Sequence, residues 1–169
     1  HGDVKSDNFL CDRKEISEEC RVVLTDFGTC QQADSLDQRF NESTGTKLYW
    51  APEQWVQPLD YSFKVDVWAL GVTTYGITHG RFPFTSAEQI EKHTLNIDPK
   101  LPTGFRDLML SMLDKDEDAR AHAAELNNHL YLNRRLSLPM AKSRASVSKK
   151  KGLDPAHEAP APPSTPTTT

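Results

Sequence analysis

Long apolar runs are missing from this sequence of 169 residues. It has no stretch of 18 consecutive apolar residues, whereas a transmembrane helix needs about 20. We therefore expect no membrane span. Aromatic residues are absent from residues 136–169, which hold six of the eleven prolines. That composition cannot bury enough apolar surface to offset the entropy of ordering. We predict a folded domain over residues 1–135 and a disordered tail over residues 136–169, basic at first and then rich in Pro and Thr.

Cysteine is also scarce, and the three cysteines lack the spacing of zinc ligands, as do the histidines. Cys11 and Cys20 flank a polar stretch between two short apolar runs, so they would face each other if those runs form a hairpin. Two free thiols are the favoured interpretation, and a disulfide is the alternative. The cysteines leave the cellular compartment open, with the cytoplasm as the default expectation.

Positive charge is in deficit over the predicted folded part. Residues 1–135 carry 15 basic and 22 acidic side chains, whereas residues 136–169 carry five basic and two acidic ones. Because an acidic domain is repelled by a phosphate backbone, we expect no nucleic acid among its partners.

Strand-like patterns are confined to the start of the chain, at residues 8–11 and 21–25. Residues 26–52 show little periodicity, and a loop of that length in a small domain is usually functional. Residues 65–77 are nearly all apolar and long enough for a buried helix, although their β-branched content also permits a strand. Further helical patterns lie at residues 87–95, 104–113 and 121–130. The fold class predicted is mainly α with a small β-hairpin.

Four short motifs occur in a fixed order. Residues 1–8 read H-G-D-V-K-S-D-N, and D-F-G follows at residues 26–28, eighteen residues after Asn8. Residues 45–53 read G-T-K-L-Y-W-A-P-E, and residues 66–71 read D-V-W-A-L-G. Each motif alone is weak, but their order and spacing resemble the eukaryotic-type protein kinase family over residues 1–132. We call residues 1–8 the catalytic loop and residues 26–53 the activation segment.

The resemblance implies the C-terminal lobe of a kinase catalytic domain, with the N-lobe absent from this chain. In the family, the glycine-rich loop, the ATP-anchoring lysine and its helix-borne glutamate all lie upstream of these motifs. The complete protein is expected to transfer phosphate from ATP to protein serine or threonine hydroxyls. The chain itself is then a truncated, inactive part of the catalytic domain, and ATP, Mg²⁺ and a protein substrate are the implied ligands.

Four residues match the polar groups that phosphoryl transfer requires. Asp3 matches the catalytic aspartate, which orients the attacking hydroxyl and accepts its proton. Lys5 matches the lysine that serine/threonine kinases place beside the γ-phosphate, where tyrosine kinases usually differ. Asn8 and Asp26 match the two Mg²⁺ ligands, and hard oxygen donors suit that ion.

Two further positions complete the predicted site. Thr46 matches the threonine of the G-T-x-x-Y element, whose hydroxyl can bridge the catalytic aspartate and lysine, and it supports serine/threonine specificity. Leu10 matches the apolar residue beneath the adenine ring, and as a strand residue it is also compatible with simple core packing.

Other matches are structural. His1 and Phe27 match two members of the stacked apolar column that joins the kinase lobes. Asp66 resembles the aspartate that accepts hydrogen bonds from the catalytic-loop backbone, because a buried carboxylate needs such partners. We also expect an ion pair between Glu53, the glutamate of the A-P-E motif, and Arg120.

The sequence departs from the family pattern at two positions. Gly2 stands where most regulated kinases have an arginine that pairs with a phosphate on the activation segment. A phosphate on Ser35, Ser43 or Thr44 would therefore lack its usual partner. Glu117 replaces the proline of the family's D-P-x-x-R pattern.

Two functions remain open at the level of sequence. The intact catalytic residues favour an active kinase, whereas Gly2 and the missing N-lobe motifs favour a kinase-like interaction protein or pseudokinase. In the second case, a partner protein would bind the exposed surface that faces the N-lobe in the family. The H-G-D loop and the Thr/Pro-rich tail also resemble the secreted rhoptry kinases of apicomplexan parasites. That resemblance implies secretion and makes Cys11–Cys20 a stronger candidate for a disulfide.

Overall fold

A computed structural model describes residues 1–17 and 19–137 of the protein. The predicted tail lies outside the described residues, apart from its first two positions, which end the last helix. Among the described residues, none of the helices combines the length and hydrophobicity needed to span a bilayer.

The two predicted strands form an antiparallel hairpin. Strand β1 (Phe9–Cys11) pairs with β2 (Val22–Leu24), and Leu10 lies opposite Val23. The prediction of a small β-hairpin is thus confirmed. Cys11 and Cys20 both have free thiols in this structure, as the favoured interpretation has them.

The predicted long loop is also confirmed. Residues 26–52 contain only single turns of 3-10 helix, at Phe27–Thr29, at Lys47–Tyr49 and at the start of Pro52–Trp55. An isolated antiparallel bridge joins Phe40 in this loop to Tyr61 beyond it. The loop therefore has its own attachments to the body of the domain.

The apolar segment at residues 65–77 forms a buried helix and not a strand. Helix α1 runs over Lys64–His79, and its residues Trp68 and Tyr75 are each 1% exposed. Threonine is a weak helix former, because its hydroxyl competes for backbone groups. Here Thr73 and Thr74 donate to the carbonyl oxygens four residues earlier, at 2.9 and 2.8 Å, so their hydroxyls are satisfied within the helix.

Four shorter helices follow α1 among the described residues. They are α2 (Ala87–Lys92), α3 (Thr103–Met112), α4 (Ala123–Asn127) and α5 (Leu130–Ser137). Helix α3 packs against α1 and contributes Met109 and Met112 to the core. The core also includes Val4 of the catalytic loop and Ala51 of the activation segment, so both functional loops are anchored in it.

The prediction of one helix over residues 121–130 is wrong, because the helix is interrupted between α4 and α5. The Asn128 side chain donates to the carbonyl oxygen of Ala124 at 3.1 Å and so ends α4. The ring of His129 then accepts from the backbone N–H of Tyr131 at 3.2 Å, at the start of α5. Such local side-chain bonds to the backbone compete with helix continuation.

Candidate active site

Three of the predicted site residues form a closed triangle of hydrogen bonds. Lys5 Nζ donates to Asp3 Oδ2 at 2.7 Å and to Thr46 Oγ1 at 3.0 Å, and Thr46 Oγ1 donates to Asp3 Oδ1 at 2.8 Å. The predicted bridging geometry of Thr46 is confirmed. Because Thr46 comes from the activation segment, the triangle also ties that segment to the catalytic loop.

The triangle fixes the charge state of its carboxylate. Burial raises the pKa of Asp3, but the hydrogen bonds from Lys5 and Thr46 outweigh it and hold that pKa below its ordinary value. The Asp3 carboxylate in turn raises the pKa of Lys5. Since the folded pKa of Asp3 lies below the unfolded value of about 3.9, the resulting stability is present above that pH. It is lost as the pH falls through the lowered pKa.

Close backbone contact holds the two loops together beside the triangle. Gly45 precedes Thr46 and has a φ of 80°, in the left-handed region. A Cβ at this position would overlap the carbonyl oxygen of Gly2. Only glycine therefore allows the activation segment to approach the catalytic loop closely enough for Thr46 to reach Asp3.

We expect Gly45→Ala to lower the free energy of unfolding by about 2 kcal/mol or more, because it combines a positive φ with a backbone overlap. Denaturant unfolding of the chain measures this. Gly76→Ala is the matched control, since a Cβ at Gly76, inside α1, meets no atom within 4 Å. That control should be neutral or more stable by up to about 1 kcal/mol. Equal stability of the two variants would contradict the close approach.

The hairpin brings the two predicted metal ligands to the same end. Asn8 directly precedes β1 and Asp26 follows β2, and the N–H of Thr25 donates to the carbonyl oxygen of Asn8 at 2.8 Å. Asp26 lies near enough to Lys5 to contribute to its raised pKa. The pairing of β1 with β2 thus brings Asn8 and Asp26 to the same end of the hairpin, although they are eighteen positions apart in the sequence.

The donor atoms suit a hard cation. The amide nitrogen of Asn8 donates to the carbonyl oxygen of Asp3 at 2.8 Å, which leaves its amide oxygen available for a cation. Asp26 is held in a left-handed conformation, with a φ of 61°, and accepts from the N–H of Gly28 at 3.4 Å. The described residues hold no cluster of three or more His, Cys, Asp or Glu side chains placed for a metal. A pair of oxygen ligands from the protein is compatible with Mg²⁺, because this ion usually takes its remaining ligands from phosphates and water.

The catalytic loop is fastened to the core helix by Asp66. The backbone nitrogens of His1 and Gly2 donate to its two carboxylate oxygens at 2.7 and 2.9 Å. This confirms the prediction that Asp66 accepts from the catalytic-loop backbone. Because Asp66 lies in the first turn of α1, these hydrogen bonds attach the catalytic loop to a largely buried helix.

His1 and Phe27, the two predicted members of the apolar column, are in contact, and their rings meet edge to face at 5.2 Å. Phe27 is nonetheless 64% exposed, and Leu10 is 55% exposed. Leu10 therefore does not pack in the core of the described residues. Val23 of β2, which lies opposite Leu10, is also exposed, so Leu10 and Val23 form an apolar strip across the hairpin.

The predicted pair between Glu53 and Arg120 is confirmed and is bidentate. The two terminal nitrogens of Arg120 donate to the Glu53 carboxylate at 2.6 and 2.9 Å. Arg120 is 1% exposed, and its Nε donates to the carbonyl oxygen of Asp114 at 2.9 Å. The guanidinium also lies 5.1 Å from the ring centroid of Trp68. The end of the activation segment is thereby anchored in the core.

Arg39 and Glu117 were missed as a pair by sequence reasoning. Arg39 lies in the middle of the activation segment and donates twice to Glu117, at 2.9 and 3.0 Å. The only signal in the sequence was that Glu117 replaces a proline of the family pattern. Nothing local indicates that its partner is Arg39.

Comparison with known proteins identifies the family of the chain. Residues 1–132 match the family model for the protein kinase domain. The chain is 32% identical to the serine/threonine-protein kinase pakA of Dictyostelium discoideum over 148 residues, which cover 82% of this chain and 12% of pakA. It is 31% identical to the serine/threonine-protein kinase SMU1 of Mycosarcoma maydis over 163 residues, which cover 89% of this chain and 21% of SMU1.

A third relative, the serine/threonine-protein kinase KIC1 of Saccharomyces cerevisiae, is 29% identical over 157 residues, with 88% of this chain and 14% of KIC1 covered. The chain thus spans between 12% and 21% of the length of these three relatives. The chain belongs to the eukaryotic-type protein kinase family.

Proposed function

We propose that the complete protein transfers the γ-phosphoryl group of ATP to serine or threonine hydroxyls of proteins. The observation that carries this proposal is the Asp3–Lys5–Thr46 triangle, which joins the catalytic loop and the activation segment. The names of the relatives, all serine/threonine-protein kinases, support the same substrate class.

The proposed reaction assigns one role to each polar group. The substrate hydroxyl oxygen forms a bond to the γ-phosphorus, the bond from that phosphorus to the ADP oxygen breaks, and the hydroxyl proton passes to Asp3. Because the pKa of Asp3 is lowered, this carboxylate is a weak base, and its main contribution is to orient the hydroxyl.

Lys5 places positive charge where the transferred phosphoryl group passes, and its raised pKa keeps that charge at neutral pH. Thr46 holds both side chains in place from the activation segment. Asn8 and Asp26 would hold Mg²⁺, which supplies charge neutralisation of the phosphates when it is bound.

We also propose that residues 1–132 form the C-terminal lobe of a larger catalytic domain. The exposed apolar strip of Leu10 and Val23 and the exposed ring of Phe27 support this, because apolar surface of this kind is usually covered. Residues 1–169 contain no G-x-G-x-x-G motif, which the family uses to cover the ATP phosphates. In the complete protein, the strip would face the adenine ring and the N-lobe.

A kinase-like interaction protein is the second candidate. One observation favours it: Gly2 leaves the catalytic loop without the cation that regulated kinases use. In that case the same apolar strip would bind a partner protein instead of an N-lobe. Phosphate transfer by the complete protein distinguishes the two candidates.

A polypeptide of residues 1–169 alone is expected to transfer no phosphate above background. Positioning of the reactants is worth about 7–11 kcal/mol in phosphoryl transfer, and the loss of half of it slows the reaction by about 10³-fold or more. Radiolabelled ATP turnover on a generic basic protein is the measurement, with the complete protein and its Asp3→Asn variant assayed in parallel. Ordinary kinase turnover by residues 1–169 would contradict the proposed lobe assignment. A complete protein no faster than its Asp3→Asn variant would instead favour the interaction protein.

A further inference from the structure

The activation segment carries a cation near its midpoint. Arg39 Nε donates to Asp60 Oδ1 at 2.8 Å, and Arg39 Nη2 donates to the carbonyl oxygen of Asp60 at 2.7 Å. The two terminal nitrogens also donate to Glu117 at 2.9 and 3.0 Å. A planar guanidinium is the side chain that can satisfy two acceptors in this forked geometry. Arg39 thus connects the segment to two separate points of the domain body.

The acidic end of this connection is itself fixed. The side chain of Glu117 is 16% exposed, and it also accepts from the backbone N–H of Ser62 at 2.8 Å. Lys64, the first residue of α1, donates to the backbone carbonyl of Glu117 at 3.0 Å. Burial raises the pKa of Glu117, but hydrogen bonds from Ser62 and Arg39 outweigh it and lower that pKa, so the carboxylate is ionised at neutral pH. Glu117 is therefore a preorganised acceptor.

Backbone contacts extend the attachment from Arg39 towards the catalytic triangle. Phe40 and Tyr61 exchange two backbone hydrogen bonds, at 2.7 and 3.1 Å. The Tyr61 hydroxyl donates to the carbonyl oxygen of Glu42 at 2.6 Å, and the Trp50 indole donates to that of Thr44 at 2.8 Å. The segment is thus held at successive positions up to Gly45, which contacts Gly2.

The catalytic-loop position at which regulated kinases of the family bind a segment phosphate, Gly2 in this chain, has no such cation nearby among the described residues. A cavity of about 110 Å³ lies beside Gly2 and is bordered by Thr44, Phe40 and Tyr61. Its lining contains neither Lys nor Arg, and its one carboxylate is Asp66. A phosphate on Thr44 would meet negative charge there, which is unfavourable.

We propose that Arg39, Asp60 and Glu117 form a phosphate-independent lock that positions the activation segment, so that Thr46 lies on Asp3 and Lys5. In the family, a negative phosphate on the segment pairs with an arginine of the catalytic loop. Here the signs are exchanged, because the segment supplies the cation and the domain body supplies the anions. Arg39 and Glu117 are positioning residues, and their effect on catalysis rests on the proposed kinase function.

Hydrogen exchange tests the lock without any assay of catalysis. In the 169-residue chain, Arg39→Met and Glu117→Gln should each speed exchange of the Phe40 and Tyr61 amides, which donate to each other's carbonyl oxygens, by about tenfold, while α1 stays protected. The double variant should be no faster than the faster single variant, because both changes break one interaction. Glu117→Asp keeps the charge and should recover most of the protection. Lys92→Met is the matched control, since it removes only the exposed pair with Glu88 and should leave these residues unchanged.

Activity of the complete protein gives the second readout. Arg39→Met and Glu117→Gln should each lower kcat by about tenfold or more and change the KM for ATP little, because they misplace Thr46 and not the nucleotide. Phosphatase treatment of the wild-type protein should leave kcat within about twofold, since no phosphate takes part in the lock.

Unchanged exchange of the Phe40 and Tyr61 amides in both single variants would overturn the lock. A loss of about tenfold or more in kcat after phosphatase treatment would also overturn it, because another cation would then be reading a phosphate. If exchange responds as expected but the complete wild-type protein transfers no phosphate, the lock is supported and the proposed function is what fails.

Discussion

Asp3→Asn in the complete protein is expected to lower kcat for phosphate transfer by about 10²–10⁴-fold. The asparagine keeps the shape of the side chain but cannot accept the hydroxyl proton, and it removes the negative charge that Lys5 pairs with at 2.7 Å. Single-turnover transfer of labelled phosphate to a protein substrate is the measurement, because it reports the chemical step. A rate near that of the wild-type protein would remove Asp3 from its proposed role.

Asp26→Asn should reduce the same rate to a similar degree, but for a different reason. Loss of this carboxylate weakens the proposed Mg²⁺ site, so raising the Mg²⁺ concentration should recover part of the activity of Asp26→Asn and none of that of Asp3→Asn. Asp34→Asn is the matched control, since Asp34 is an exposed carboxylate of the activation segment outside the site. It should retain wild-type activity.

Arg120→Met is expected to lower the free energy of unfolding by about 3–5 kcal/mol. Most of this loss comes from Glu53, whose carboxylate would remain largely buried without the cation that binds it at 2.6 and 2.9 Å. The variant also loses the bond to the Asp114 carbonyl and the contact with Trp68. Denaturant unfolding of the chain, with the slope of the transition compared as well, is the measurement.

Two controls separate this buried pair from ion pairs in general. Lys92→Met removes the exposed ion pair with Glu88, one helical turn away, and should lower the free energy of unfolding by no more than about 0.5 kcal/mol. The double variant Glu53→Leu/Arg120→Met should be more stable than Arg120→Met alone, because no buried charge is left uncompensated. A cost below about 1 kcal/mol for Arg120→Met would mean that the pair is not buried in solution.

The predictions for Asp26 and for the Glu53–Arg120 pair concern opposite ends of the activation segment. Asp26 lies at its start beside the hairpin, and Glu53 lies at its end beside the core helix. The segment between them is held by Arg39 in the middle and by Thr46 at the catalytic loop. A segment attached at several points along its length can keep one arrangement without a modification that selects it, which is the physical basis of the proposed lock.

The sequence by itself determined the elements whose signal is local. The apolar run at residues 65–77 predicted a buried element, which the structure shows to be helix α1; the two short strand-like runs predicted the hairpin, and the motif spacing identified the family. The candidate site followed in the same way: Asp3, Lys5, Asn8, Asp26 and Thr46 were named from short motifs, and the structure brings Asp3, Lys5 and Thr46 into direct contact. Local patterns suffice here because each depends on neighbours within a few residues.

Only the tertiary structure decided which distant side chains meet. Arg39 and Glu117 are 78 residues apart, and a single charge of either sign gives no indication of its partner. The break between α4 and α5 was likewise decided by which backbone groups the side chains of Asn128 and His129 reach. The exclusion of any side chain at Gly45 became visible only where the carbonyl of Gly2 occupies that space. Ion pairs and close approaches of this kind depend on three-dimensional positions fixed by the packed core, and periodicity along the chain does not encode them.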